Sequence, residues 1–193
     1  MRNLKRVIYT SSYDRGLEHL LGMWPEVRKA VPDAELHVFY GWQLFELFTK
    51  GNSGAISWMN KVKDQLKQDG VTDHGRVSQI DLVEEYQKSG IWAYPTHFGE
   101  INCISAIKAQ SYGCEPVVVN YAALKETVQY GRKVEGDIYD QETKDAYKKE
   151  LIEALKHPMD DKKRKEMSKW AMGKYAWSVI AKQFSDEFKR EVK

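Results

Sequence analysis

Residues 91–119, IWAYPTHFGEINCISAIKAQSYGCEPVVV, constrain the fold more than any other stretch of this chain. Residues 91–94 form a short apolar, aromatic run, and Pro95, which cannot donate to a sheet ladder, ends it. Thr96 to Asn102 then reads as a loop, with Gly99 for turning and Glu100 as its one carboxylate. Asn102 is placed to cap a helix over 103–112, in which Ile104, Ile107 and Ser111 share a face. Gly113 stands where a C-cap glycine belongs, and Pro116 to Val119 opens a buried strand. In a parallel α/β sheet, ligands bind where a strand's carboxyl end passes into a helix. The free amides expected at Ile101, Asn102 and Cys103 suit a phosphate, and Glu100 at the same mouth suits sugar hydroxyls.

The chain before this stretch follows the same alternation. Residues 6–10 form a β-type run, followed by Ser11, Ser12 and the pair Arg15-Gly16. Leu17, Leu20, Leu21, Trp24 and Val27 are spaced for a helix that Pro32 closes. An arginine beside free backbone donors can pair with a diphosphate through its planar fork. Residues 36–40 form a second strand, with His37 in a structural position and Gly41 where the backbone turns or approaches a ligand. Residues 43–57 read as a short helix and a mobile loop, and 56–68 as an amphipathic helix. A short strand over 71–77 leads to Ser78, which caps the next helix with Asp81 three residues on.

After Val119, Asn120 and Tyr121 sit at another strand's carboxyl end, facing the same crevice. Residues 131–140 read as a polar excursion and 142–156 as a helix. The run Lys162-Lys163-Arg164-Lys165 reads as a solvated helix face because Asp160, Asp161 and Glu166 flank it. The tail holds Met167, Trp170, Tyr175, Trp177, Phe184 and Phe188, too apolar a set to stay undocked.

Composition excludes several classes. With 193 residues, 42% of them hydrophobic, the chain can build one domain with a real core. A net charge of +2 gives no electrostatic case for nucleic acid or a membrane surface. The two cysteines, Cys103 and Cys114, fit no metal or redox spacing and suggest a reducing, cytoplasmic compartment. No signal peptide, membrane span or metal-ligand spacing is read, so no cofactor is expected.

The stretch 91–119 also resembles the signature of retaining GT-B glycosyltransferases of the family 4 type. That signature places a Glu, seven residues and a second Glu before an Ala-rich helix, a Gly and Pro-Val. Glu100 takes the first position, Lys108 stands at the second, and the turn through Gly113 is one residue longer. Arg15-Gly16 matches the pair that opens the first donor-side helix, while Thr10 stands where the family often has another arginine. His74, Gly75, Arg76, Val77 and Ser78 resemble a loop that lies against the nucleotide base, making His74 and Arg76 base or ribose candidates. A solvent-facing Arg76 and a structural His74 remain the alternatives.

The resemblance implies a Rossmann-like parallel α/β sheet with helices on both faces, a single GT-B half, and a C-terminal helical tail. The expected division is 1–160 for the nucleotide-sugar-binding domain and 161–193 for helices that cross toward an N-terminal domain. No such domain is expected within this chain, since a full enzyme needs on the order of 150 further residues. The implied binding set is Ser11, Ser12, Arg15, Gly16, Gly41, His74, Arg76, Val77, Thr96, Glu100, Ile101, Asn102, Cys103 and Lys108. Glu100 and Arg15 are the catalytic candidates, and no metal is implied.

The expected function is therefore binding of a nucleotide diphosphate sugar for transfer to an unknown acceptor, with retention. A non-catalytic nucleotide-binding or interaction module is the alternative. An N-terminal GT-B half, or a second copy meeting the apolar tail, is the expected protein partner.

Overall fold

A computed structural model of the protein describes residues 1–191. Six strands form one parallel sheet in the order β3-β2-β1-β4-β5-β6. In chain order the elements are β1 (Asn3–Tyr9), α1 (Leu17–Ala30), β2 (Glu35–Val38), α2 (Gln43–Phe48), α3 (Ser53–Gln65) and β3 (Val71–Asp73). They continue with α4 (Gln79–Lys88), β4 (Ser89–Tyr94), α5 (Ile104–Ser111), β5 (Glu115–Val119) and α6 (Leu124–Thr127). The chain closes with β6 (Arg132–Val134), α7 (Gln141–Lys156), α8 (Asp161–Tyr175) and α9 (Trp177–Glu191). The expected Rossmann-like α/β class is borne out.

Local sequence explains the layering. The central strands β4 and β5 are buried at every residue and apolar after Ser89 and Glu115 at their starts, as strands covered on both faces must be. Helices α1 and α7 pack together on one face, and α4, α5 and α8 on the other. The strand order reverses between β1 and β4, which pair directly with Val7 opposite Ile91 and Ile8 opposite Trp92. This reversal opens a crevice at the strands' carboxyl ends, the usual ligand position in such sheets.

Several expectations shift in detail. Gly113 has φ +78° and ends α5, with the Cys114 amide donating to the Ala109 carbonyl at 2.8 Å. The N-cap of α5 is Cys103 rather than Asn102. The face α5 buries is Ala106, Ala109 and Gln110, while Ile104 is exposed. Residues 131–140 are not only an excursion, because Arg132–Val134 adds an edge strand to β5.

The largest correction concerns Arg164, read from sequence as part of a solvated face. It is 4% exposed and donates to the carbonyls of Met159, Gly90 and Gly113 at 2.7–2.9 Å. Arg164 shares the buried face of α8 with Met167 and Ala171, and α8 thereby docks on α5. The rest of the tail separates from it: Trp177, Phe184 and Phe188 on α9 are exposed.

Candidate functional site

Two loops meet at the switch point, residues 10–16 after β1 and 95–103 after β4. Their contact is close enough to demand glycine. Gly16 has φ +112°, and a Cβ there would lie 2.2 Å from the Pro95 carbonyl oxygen. The first loop is held by the Tyr9 hydroxyl donating to the Ser12 carbonyl at 2.7 Å and by the Arg15 amide donating to the same carbonyl at 3.0 Å. The second is tied by the Phe98 amide to the Thr96 hydroxyl at 2.9 Å. It is also tied forward, since the Ala123 amide donates to the Glu100 carbonyl at 3.1 Å.

This interlock brings Arg15 and Glu100 together although they are 85 positions apart, with Nη1 to Oε1 at 3.3 Å. The Arg15 guanidinium also lies 3.8 Å from the centroid of the Phe98 ring, a cation–π geometry. Partial burial lowers its pKa, but Glu100, Tyr94 and Asp14 more than offset this and hold it above the ordinary arginine value. On the other side, the Tyr94 hydroxyl donates to Glu100 Oε1 at 2.7 Å and accepts from Ser11 Oγ at 3.2 Å. Burial raises the Tyr94 pKa, so the phenol stays neutral and donates. Sequence reasoning used Tyr94 only as the end of a strand. Its spacing, six residues before Glu100 across a turn, carries no signal of this bond.

Thr10 is buried where an arginine was expected from the resemblance. Its hydroxyl meets the Tyr86 hydroxyl at 2.6 Å and accepts from Trp92 Nε1 at 3.1 Å. A neutral network thus fills the end of β1, leaving Arg15 as the cation of the first loop.

The same carboxyl end holds a cleft of about 340 Å³, walled by Tyr40, Leu44, Arg76, Val77, Ile104 and Lys108; Thr10 of the first loop lines it, whereas Arg15 and Glu100 do not. Gly41, with φ +82°, lets the β2 turn approach this wall, since a Cβ would lie 3.1 Å from the Arg76 amide nitrogen. Lys108 lines the cleft and donates to Gln79. The Cys103 thiol is pushed up to about 12 by burial and therefore stays protonated at the start of α5.

Other candidates are placed differently. His74 does not line the cleft; it stacks on Phe39 at 4.4 Å between centroids and bonds His37 at 2.8 Å. Ile101 and Asn102 are exposed on the bend before α5, and Ser12 is half-buried in the first loop. Thr96 is buried and lines a second cavity with His97. Among the described residues, no group of three or more His, Cys, Asp or Glu side chains converges as metal ligands would. Among them too, no helix is long and apolar enough to cross a membrane.

Comparison with known proteins decides the family. The family model described as glycosyl transferases group 1 matches residues 5–173. The chain belongs to this family. No curated protein matches the sequence. The solved structures similar to this glycosyltransferase-family chain include sucrose-phosphate synthase from Thermosynechococcus elongatus, at TM-score 0.75 and 18% identity over 97% of this chain and 45% of that one. The pneumococcal O-GlcNAc transferase GtfA, solved with UDP and GlcNAc, gives TM-score 0.70 and 14% identity over 96% of this chain and 35% of that one. Anabaena Alr3699/HepE with UDP-glucose gives 0.69 and 13%, over 97% and 49%. The chain thus spans between about a third and a half of the length of these proteins.

Proposed function

We propose that this chain is the donor-binding half of a glycosyltransferase that uses a nucleoside diphosphate sugar. The observation that carries the reading is the meeting of Arg15 and Glu100 across the β1–β4 switch point, at the same carboxyl end as a cleft large enough for a nucleoside. The diphosphate lies between Arg15 and the first-turn amides of α5. The base and ribose occupy the cleft, against Arg76 and Val77 and within reach of Lys108. Glu100 accepts hydrogen bonds from sugar hydroxyls. Two of the similar solved proteins hold UDP or UDP-glucose, which favours a uridine donor.

Transfer with retention is the outcome that the resemblance of residues 91–119 to the retaining enzymes supports. No nucleophile is needed on this chain: Arg15 stabilises the charge that develops on the departing diphosphate oxygens, and the protein supplies positioning. The exposed aromatic face of α9 supports a partner, either an N-terminal half or a second copy. One observation favours the non-catalytic alternative: Lys108, in place of a carboxylate, is engaged by Gln79.

Calorimetry of the chain with UDP, GDP and ADP, without divalent metal, tests the reading. At least one diphosphate binds, and Arg15→Ala weakens it by about 1.5–3 kcal/mol, roughly tenfold or more. Absence of heat with all of them, in a folded sample, overturns the proposal.

A further inference from the structure

Opposite the nucleoside cleft, at the carboxyl ends of β4, β5 and β6, lies a second cavity of about 260 Å³. The two cavities share no lining residue, yet Thr96 and His97 in the second belong to the loop that presents Glu100. Its floor is apolar, with Val119 and Ile138 buried. Its rim carries two exposed phenols: Tyr121, 45% exposed, and Tyr139, 55% exposed. The rings of His97 and Tyr139 stand 4.9 Å apart.

Two features distinguish this cavity from a packing gap. The Nδ1 atom of His97 is buried without a hydrogen-bond partner, and a buried polar atom left so is costly until something bonds it. The loop carrying Tyr121 is also strained, because Ala122 adopts φ +46°, a conformation L residues seldom take. That loop is fixed to the site, since the next amide, of Ala123, bonds the Glu100 carbonyl. Aromatic faces above an apolar floor, with an imidazole, a hydroxyl and the Asp137 carboxylate at the edge, match the chemistry of a pyranose ring. Such a ring has apolar C–H faces that lie on aromatic rings and an equator of hydroxyls that need directed partners.

We propose that this cavity is a carbohydrate subsite that holds a hexopyranose ring of the acceptor, separate from the sugar of the donor. The proposal rests on the donor-binding reading above and deepens it. The acceptor ring lies against Tyr139 and Tyr121, with its hydroxyls directed at the Asp137 carboxylate and the His97 ring, whose buried Nδ1 becomes reachable only if the imidazole turns as the sugar binds. The loop 95–103 then stands between donor and acceptor, with Glu100 facing the donor side and His97 the acceptor side.

Saturation-transfer NMR on the full chain tests this, with methyl glycosides of α-glucose, β-galactose, α-mannose and β-N-acetylglucosamine as probes. At least one glycoside receives saturation, and it still does so with UDP or UDP-glucose present in excess. Tyr139→Ala, an exposed position, weakens that glycoside at least fivefold and leaves UDP binding unchanged. The histidine side-chain 15N spectrum reports the same event, with the Nδ1 resonance assigned through His97→Gln moving on glycoside addition. Binding of UDP with no glycoside bound at all overturns the subsite and leaves the donor reading standing. Displacement of the glycoside by UDP-glucose assigns the cavity to the donor sugar and also overturns it. Glycoside binding without any nucleotide binding would instead defeat the donor reading.

Discussion

The two ends of the sheet use the same chemistry for opposite purposes. At the amino end, Glu115 on β5 meets Arg132 at 3.1 Å and Arg164 at 3.8 Å, and the Met159 amide donates to it at 2.8 Å. Arg2 donates to the Tyr86, Ser89 and Tyr112 carbonyls nearby. At the carboxyl end, Arg15 and Glu100 form one ion pair at 3.3 Å. The side chains of Arg164 and Glu115 are each 4% exposed, whereas Arg15 is 34% and Glu100 11% exposed. The closed set spends most of its donors on backbone carbonyls, Arg164 through Nε and Nη1, while its Nη2 faces Glu115 without a hydrogen bond. The open set leaves the Arg15 guanidinium partly exposed at the switch point. Charge alone does not mark a site; a partly exposed charge at the switch point does.

The largest effect that would break this comparison is on stability. Removing one partner of a buried pair leaves the other unpaired in low dielectric and costs about 3–5 kcal/mol. Arg164→Ala should cost that much in urea unfolding, and Arg164→Met, which refills the space, should recover little of it. Arg15→Ala should cost less than about 1 kcal/mol, as partly exposed pairs do. Equal losses at the two ends would mean that the Arg15 pair is structural as well.

A smaller effect sharpens the open end. Tyr94→Phe removes a single neutral donor to Glu100 and keeps the ring, so about 0.5–1.5 kcal/mol is at stake. The loss should fall on a nucleotide-sugar and spare the bare diphosphate, because it is the carboxylate that loses its orientation. Glu100→Gln should show the same pattern with a larger loss. Competition calorimetry with UDP-glucose against UDP reads the difference, and equal losses would make Glu100 a support for the loop rather than a sugar ligand.

The contrast also explains what was legible in the sequence. The stretch 91–119 gave its strand, loop, helix and C-cap glycine because each signal is local: an apolar run, a proline, a periodic face, a glycine at positive φ. Arg15-Gly16 was legible for the same reason. Residues whose role depends on distant partners were not. β6 is a three-residue polar segment that exists only through its backbone pairing with β5. Arg164 was hidden in a charged run, although Arg164, Met167 and Ala171 fall three and four residues apart on one helical face. Read with the helical period rather than by charge, that stripe would have placed Arg164 inside. Tyr94, Thr10 and His97 gained their roles only when separate loops came together, and no spacing announces that.

The smallest expected effect concerns acidity. His37 and His74 lie together at the β2–β3 edge, faced by Arg6 from β1, Glu35 on β2, Asp73 on β3 and Glu85 on α4. Burial lowers both pKa values, with Arg6 acting in the same direction. His19 is lowered likewise, by burial first and then by Lys144 and His97. A histidine depressed in the folded state binds its proton more readily when unfolded, so the unfolded state gains protons first as pH falls. The histidines' contribution is therefore fully present above the unfolded value of about 6.5 and is lost as pH drops below it. Urea midpoints measured between about pH 7.5 and 5.5, above the range where most carboxylates titrate, should fall toward acid. His74→Gln should flatten that fall, while Arg164→Ala should lower the whole curve and keep its slope, because no histidine contacts the closed end through Arg164. A slope unchanged by His74→Gln would place the acid sensitivity elsewhere and remove the His37–His74 stack from the account of the site's edge.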